Sequence, residues 1–125
     1  MGQALPPSLK GARILIVEDE PFIALDLAMA IEDAGAIPVG PAATVAEALE
    51  LIRISPPDGA ILDVNLPDGL VGPVLDALAS IAGVVVHTGA GFPPDLRSAH
   101  PTVPVFSKPT DPHHLLHHLS THLRR

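Results

Sequence analysis

The chain has 125 residues, 47% of them hydrophobic and 17% charged, with 14 acids against 7 Lys and Arg and a formal net charge of −7. That length suits one domain with its own core, and the composition excludes a disordered chain. The acidic balance disfavours non-specific nucleic-acid binding, the lack of cysteine removes disulfides and thiolate metal sites, and no apolar stretch approaches the ~18 residues of a membrane span.

Residues 1–10 carry one Lys and no apolar h-region, so they read as a flexible N-terminal tail and not a secretory signal. A cytoplasmic home is compatible with this. Residues 11–125 read as one domain. Arg13 to Val17 is the first predicted strand, and a helix follows from about Pro21 to Ala34, with proline at its start and Gly35 as its stop. Ile37 to Gly40 is a short second strand. Thr44 and Glu47 form a capping box for a helix through Ile54, which Ser55-Pro56-Pro57 ends. Asp58 to Val64 holds the third strand, and Asn65 to Gly69 reads as a loop. A helix is predicted from about Leu70 to Ile81, with Gly83 breaking it. Val84 to Thr88 is the fourth strand. A short helix centres on Pro94 to Ala99, Thr102 to Phe106 is the fifth strand, and the last helix runs from about Pro112 to Leu123.

Alternating strands and helices imply a doubly wound α/β domain, a five-stranded parallel sheet with five helices covering both faces. Proline is confined mostly to edge strands because it lacks a ladder donor. Pro38 and Pro104 therefore send the second and fifth strands outward, which gives the order 2-1-3-4-5. Ligands bind at the switch point of such a sheet, here between the first and third strands. Glu18-Asp19-Glu20 ends the first strand and Asp63 the third, so carboxylates converge there. Close carboxylates repel unless a cation or proton lies among them, and oxygen-only ligands suit Mg²⁺. Thr88 ends the fourth strand in a hydroxyl, and Lys108 follows the fifth with an ammonium. Metal-binding carboxylates with a hydroxyl and an amine make a site for a phosphoryl group.

An acidic pair, an Asp, a Thr and a Lys-Pro at the ends of successive strands make the chain resemble the receiver domain of two-component response regulators from Arg13 to Leu123, nearly its whole length. Each element is weak singly, and the four in order are not. The resemblance implies a flavodoxin-like receiver domain over 11–125, and a stand-alone switch, not a turnover enzyme. Asp63 is then the phosphoacceptor, a carboxylate nucleophile forming an acyl phosphate. Glu18, Asp19, Asp63 and the backbone carbonyl of Asn65 hold Mg²⁺. Thr88 bonds the phosphoryl group, Lys108 pairs with Asp63 and then with a phosphoryl oxygen, and Pro109 follows a cis peptide. The implied partners are a histidine kinase or histidine phosphotransfer protein and a downstream protein target, with no nucleic acid and no membrane. One position departs from the pattern. Most receivers carry Tyr or Phe three residues before the lysine; here Val105 stands there, and Phe106 points to the other face.

Two other functions compete for the same residues. A phosphatase of the haloacid-dehalogenase type also uses a strand-end Asp and Mg²⁺, but it needs a second acid two residues after the nucleophile, where this chain has Asn65. A degenerate receiver serving only for docking conflicts with the intact constellation. On the first helix, Ile23, Leu27, Ala30, Ile31 and Ala34 share the face expected to meet the sheet. Phe22, Asp26, Met29 and Asp33 lie opposite, with Leu25 at the margin, and the resemblance makes this helix the contact for a histidine-bearing partner. His113, His114, His117, His118 and His122 read as a solvated face of the last helix in preference to a Zn²⁺ or Ni²⁺ site, and His87 as a packing residue.

Overall fold

A computed structural model describes residues 8–123. Its elements in chain order are β1 (Arg13–Val17), α1 (Pro21–Asp33), β2 (Ile37–Ala42), α2 (Val45–Ile54), β3 (Gly59–Leu62), β4 (Asn65–Leu66), β5 (Gly69–Leu70), α3 (Gly72–Leu78), β6 (Gly83–Thr88), α4 (Pro94–Ala99), β7 (Val105–Ser107) and α5 (Pro112–Ser120). The main sheet has the order β2-β1-β3-β6-β7, with every neighbouring pair parallel. By rank among the five sheet strands this is the expected 2-1-3-4-5.

The apolar runs explain which strands sit in the middle. β3 is buried at all four positions and β1 at four of five, because helices cover both faces of these strands. Alternation divides their side chains between two cores. Ile14, Ile16, Ile61 and Val85 meet α1 and α5 through Leu27, Ile31, Leu115 and Leu119. Leu15, Val17, Leu62 and Val86 meet α2 and α3 through Ala48, Ile52, Val74, Leu75 and Leu78. β2, at the edge, tolerates Pro38 and Pro41 and runs to Ala42, two residues beyond the expected end.

Other boundaries shift for physical reasons. The stretch expected to be a loop after β3 contains a small antiparallel pair, Asn65 opposite Leu70 and Leu66 opposite Gly69. This pair delays the following helix, expected from Leu70, to Gly72, and α3 ends at Leu78, short of the expected Ile81. Gly83 opens β6 instead of only breaking a helix. The last sheet strand starts at Val105 and not Thr102; Pro104 cannot donate and enters the ladder only through its carbonyl, which accepts from the Val86 N–H at 2.9 Å. α5 stops at Ser120, short of Leu123. On α1 the sheet-facing set includes the buried Ala24, while Ala34 lies past the helix end and is exposed. Of the expected N-terminal tail, residues 1–7 lie outside the described residues, whereas Leu9 is buried in the α1–α5 core. No helix among the described residues is long and apolar enough to cross a membrane.

Candidate functional site

The crevice forms where β1, β3 and β6 end side by side. The Asp63 N–H donates to the Val17 carbonyl at 2.8 Å, which sets Asp63 beside the acidic run after β1. The Lys108 N–H donates to the Thr88 carbonyl at 2.8 Å and ties the lysine to the end of β6. Local chain direction then turns the ammonium toward the carboxylates. Lys108 Nζ lies 2.9 Å from Glu18 Oε1, 3.0 Å from Glu20 Oε2 and 3.1 Å from Asp63 Oδ2. Asp63 Oδ1 accepts from the Val64 N–H at 2.7 Å, and Glu18 Oε2 accepts from the Glu20 N–H at 3.2 Å.

Burial sets the electrostatics. Glu18 is 3% exposed. Loss of water pushes its carboxyl up to about 6, assisted by the neighbouring Asp63 charge and opposed by hydrogen bonds from Lys108 and the Glu20 N–H. Burial acts to lower the Lys108 ammonium, but hydrogen bonds to Glu18, Glu20 and Asp63 outweigh it and raise that group above its ordinary value. The lysine therefore stays charged and offsets part of the repulsion around it.

Glu18, Asp19 and Asp63 each offer a carboxylate oxygen, and these oxygens all lie within 4.8 Å of one another. Oxygen ligands of Mg²⁺ stand about 2.0–2.1 Å from the ion, so opposite ligands are roughly 4.2 Å apart. The three oxygens thus fit a small hard cation after a slight contraction, with Asp19 on the solvent side. Asn65 follows directly in β4, its backbone held by pairing with Leu70. Thr88 is buried at the end of β6. Its hydroxyl donates to the Gly91 carbonyl and accepts from the Ala90 N–H, each at 3.2 Å. Thr88 is therefore brought to the crevice with its hydroxyl engaged by the following loop.

The sequence profile for the response regulator receiver domain matches residues 14–120. The chain belongs to that family. The transcriptional regulatory protein PdtaR of Mycobacterium tuberculosis is 41% identical over 78 residues, covering 61% of this chain and 38% of the relative. The response regulator PhyR of Brucella abortus superposes with a TM-score of 0.75 at 31% identity, over 94% of this chain and 49% of that one. The signal receiver domain of a candidate Luxo repressor protein from Vibrio parahaemolyticus superposes with a TM-score of 0.77 at 26% identity, over 90% and 89% of the two chains. The chain thus spans less than half the length of PdtaR and of that PhyR protein.

In this receiver domain Lys108–Pro109 is a cis peptide, as the resemblance implied, and Gly40–Pro41 is another that it did not. Val105 packs with the α2–α3 core and Phe106 with the opposite one, as alternation requires. Phe106 makes T-shaped contacts with the His114 and His118 rings at 5.4 and 5.2 Å between centroids. Sequence reasoning did not assign Glu20 a role, although it pairs with Lys108; the signal available was the third acid of the run. Asp68, read as a turn residue, also reaches further. Its two carboxylate oxygens accept from the Val45 and Ala46 N–H groups at 2.8 and 3.0 Å, joining the β4–β5 hairpin to the start of α2.

Proposed function

We propose that this receiver domain is a phosphoacceptor switch of a two-component phosphorelay, modified on Asp63 in a Mg²⁺-dependent reaction. The observation that carries the reading is the Lys108 ammonium bridging Asp63 and Glu18 within 3.1 Å, beside a three-carboxylate cluster. Glu18, Asp19, Asp63 and the Asn65 carbonyl would hold the ion, which supplies positive charge against the phosphoryl oxygens. Asp63 Oδ2 attacks phosphorus in line and the leaving group departs. Lys108 exchanges its carboxylate partners for a phosphoryl oxygen. Thr88 releases the Gly91 carbonyl and donates to another, so the β6–α4 loop registers the modification. With Val105 at the usual aromatic position, that loop and α4 are the route to the surface.

The same reading assigns α1 to the phosphodonor, a histidine kinase or histidine phosphotransfer protein. Phe22 is 84% and Met29 53% exposed, flanked by Asp26 and Asp33. A groove of about 400 Å³ lined by Ile23, Asp26, Leu27, Lys108, Pro109 and Pro112 opens beside the helix start. Apolar anchors with an acidic rim suit a helix bearing an apolar stripe and basic flanks. The product is a protein–protein interaction or onward phosphotransfer.

Intact mass after acetyl phosphate with Mg²⁺ tests the reaction. One added phosphoryl group is expected on the wild-type chain and none on Asp63→Asn. Labelling of the variant at the wild-type rate overturns the assignment, and sustained turnover of a generic phosphomonoester favours a phosphatase instead.

A further inference from the structure

His87 stands next to Thr88 at the end of β6, and alternation sends the two side chains to opposite faces. The Thr88 hydroxyl turns to the loop that follows β6, at Ala90 and Gly91. His87 is 5% exposed on the other side. It follows Val84-Val85-Val86, where another aliphatic residue would bury without a polar atom. The imidazole instead leaves Nδ1 buried with no partner, which is a cost. What it gains is one contact: Nε2 lies 3.3 Å from the Thr110 backbone nitrogen, whose N–H donates to it.

That N–H has particular value. Pro109 has no donor, so the backbone donors of the segment 108–110 are those of Lys108 and Thr110 alone. The first goes to the Thr88 carbonyl at 2.8 Å and the second to His87. Two adjacent residues of β6 therefore grip the turn that carries Lys108, one on each side of Pro109. The Thr110 hydroxyl donates to the Ser107 carbonyl at 2.6 Å and closes the turn on itself, but it does not attach it to the sheet. Among the hydrogen bonds of the described residues, His87 is the sheet side chain that holds the turn's backbone, while Asp63 and Glu18 meet it only through the Lys108 ammonium.

We propose that His87 is a positioning residue: its neutral Nδ1–H tautomer, accepting the Thr110 N–H at Nε2, holds the Lys108–Thr110 turn so that the ammonium reaches Asp63 and Glu18. Burial, and secondarily the Lys108 charge, keep the ring below its ordinary protonation range, with Asp63 opposing weakly, so the acceptor is available. The proposal rests on Lys108 having the role assigned above.

His87→Val and His87→Gln separate acceptor from packing, because a glutamine carbonyl can take the Thr110 N–H and a valine cannot. Three readouts apply: acetyl phosphate labelling in Mg²⁺, hydrogen exchange at the Thr110 amide, and the order of the Lys108 side chain by NMR relaxation. In His87→Val, labelling is expected to fall about tenfold, Thr110 protection to be lost and the Lys108 side chain to lose order. His87→Gln should stay within about threefold of wild type in labelling and keep Thr110 protected. The wild-type ring should show the Nδ1–H nitrogen pattern. Equal losses in both variants, or labelling and Lys108 order unchanged in His87→Val, overturn the proposal. If the wild-type chain accepts no phosphoryl group, the phosphoacceptor reading fails, and the exchange and order data alone still decide what His87 does.

Discussion

Burial in the crevice disfavours the charged form of Glu18. It binds its proton more tightly in the folded chain, near 6, than its ordinary 4.5 allows. Between those values the folded state holds more protons than the unfolded one, so stability falls as pH rises through that window. A shift of that size corresponds to about 2 kcal/mol. In metal-free buffer, the wild-type chain is expected to gain up to that amount over Glu18→Gln between pH 7 and pH 4. Parallel denaturation profiles for the two would contradict it. Cation binding acts on the same repulsion from the other side. Millimolar Mg²⁺ should raise the wild-type melting temperature by mass action, and the rise should shrink sharply in Asp19→Asn. A melting curve indifferent to Mg²⁺ counts against a metal site.

At the scale of elements, the ends of helices and strands are joined by contacts that local pattern does not reveal. α2 has the expected cap, with Thr44 Oγ1 accepting from the Glu47 N–H at 3.0 Å, and the returning Glu47 carboxylate lands on the Ala43 N–H at 3.4 Å. Asp68 satisfies two more of its free donors from a distant hairpin. At the opposite end of the sheet, the segment after α5 crosses the start of β6. A Cβ on Gly83 would run into the His122 carbonyl and the backbone beside it. Backbone cannot swing aside as a flexible side chain can, so Gly83→Ala is expected to cost about 1–3 kcal/mol through overpacking. Urea denaturation measures this, and an unchanged midpoint would show that the α5 tail is not held there.

Across the whole molecule, the crevice lies at one end of the sheet, α1 exposes Phe22, Leu25 and Met29, and α4 has no buried residue. Arg97 binds the Pro101 and Val103 carbonyls, each at 3.1 Å, and His100 Nε2 meets Asp76 Oδ1 at 2.9 Å, so α4 is attached by polar contacts that can exchange beside the partly buried Leu96. The proposed docking on α1 is separable by substitution from the proposed chemistry in the crevice. Phe22→Ala and Met29→Ala are each expected to slow phosphotransfer from the cognate protein donor about tenfold while leaving acetyl phosphate labelling intact. Equal loss with both donors would mean that the substitutions damage the pocket or the fold.

What the sequence determined by itself was local or periodic. Continuous apolar runs marked the central strands, prolines marked the edges, and polar residues directly after Val17, Leu62 and His87 marked the crevice. Those signals survive because burial on two faces and the loss of a ladder donor act on each strand wherever its neighbours come from. The tertiary structure decided the pairings made at long range. Glu20 meets Lys108 across 88 positions, Asp68 reaches Val45 across 23, and His87 reaches Thr110 across 23. It also placed the start of the last sheet strand, where Pro104 fits only as an acceptor, and turned an apparent loop into the β4–β5 pair. No local pattern specifies such partners, because which donor meets which acceptor is settled only when separate elements pack together.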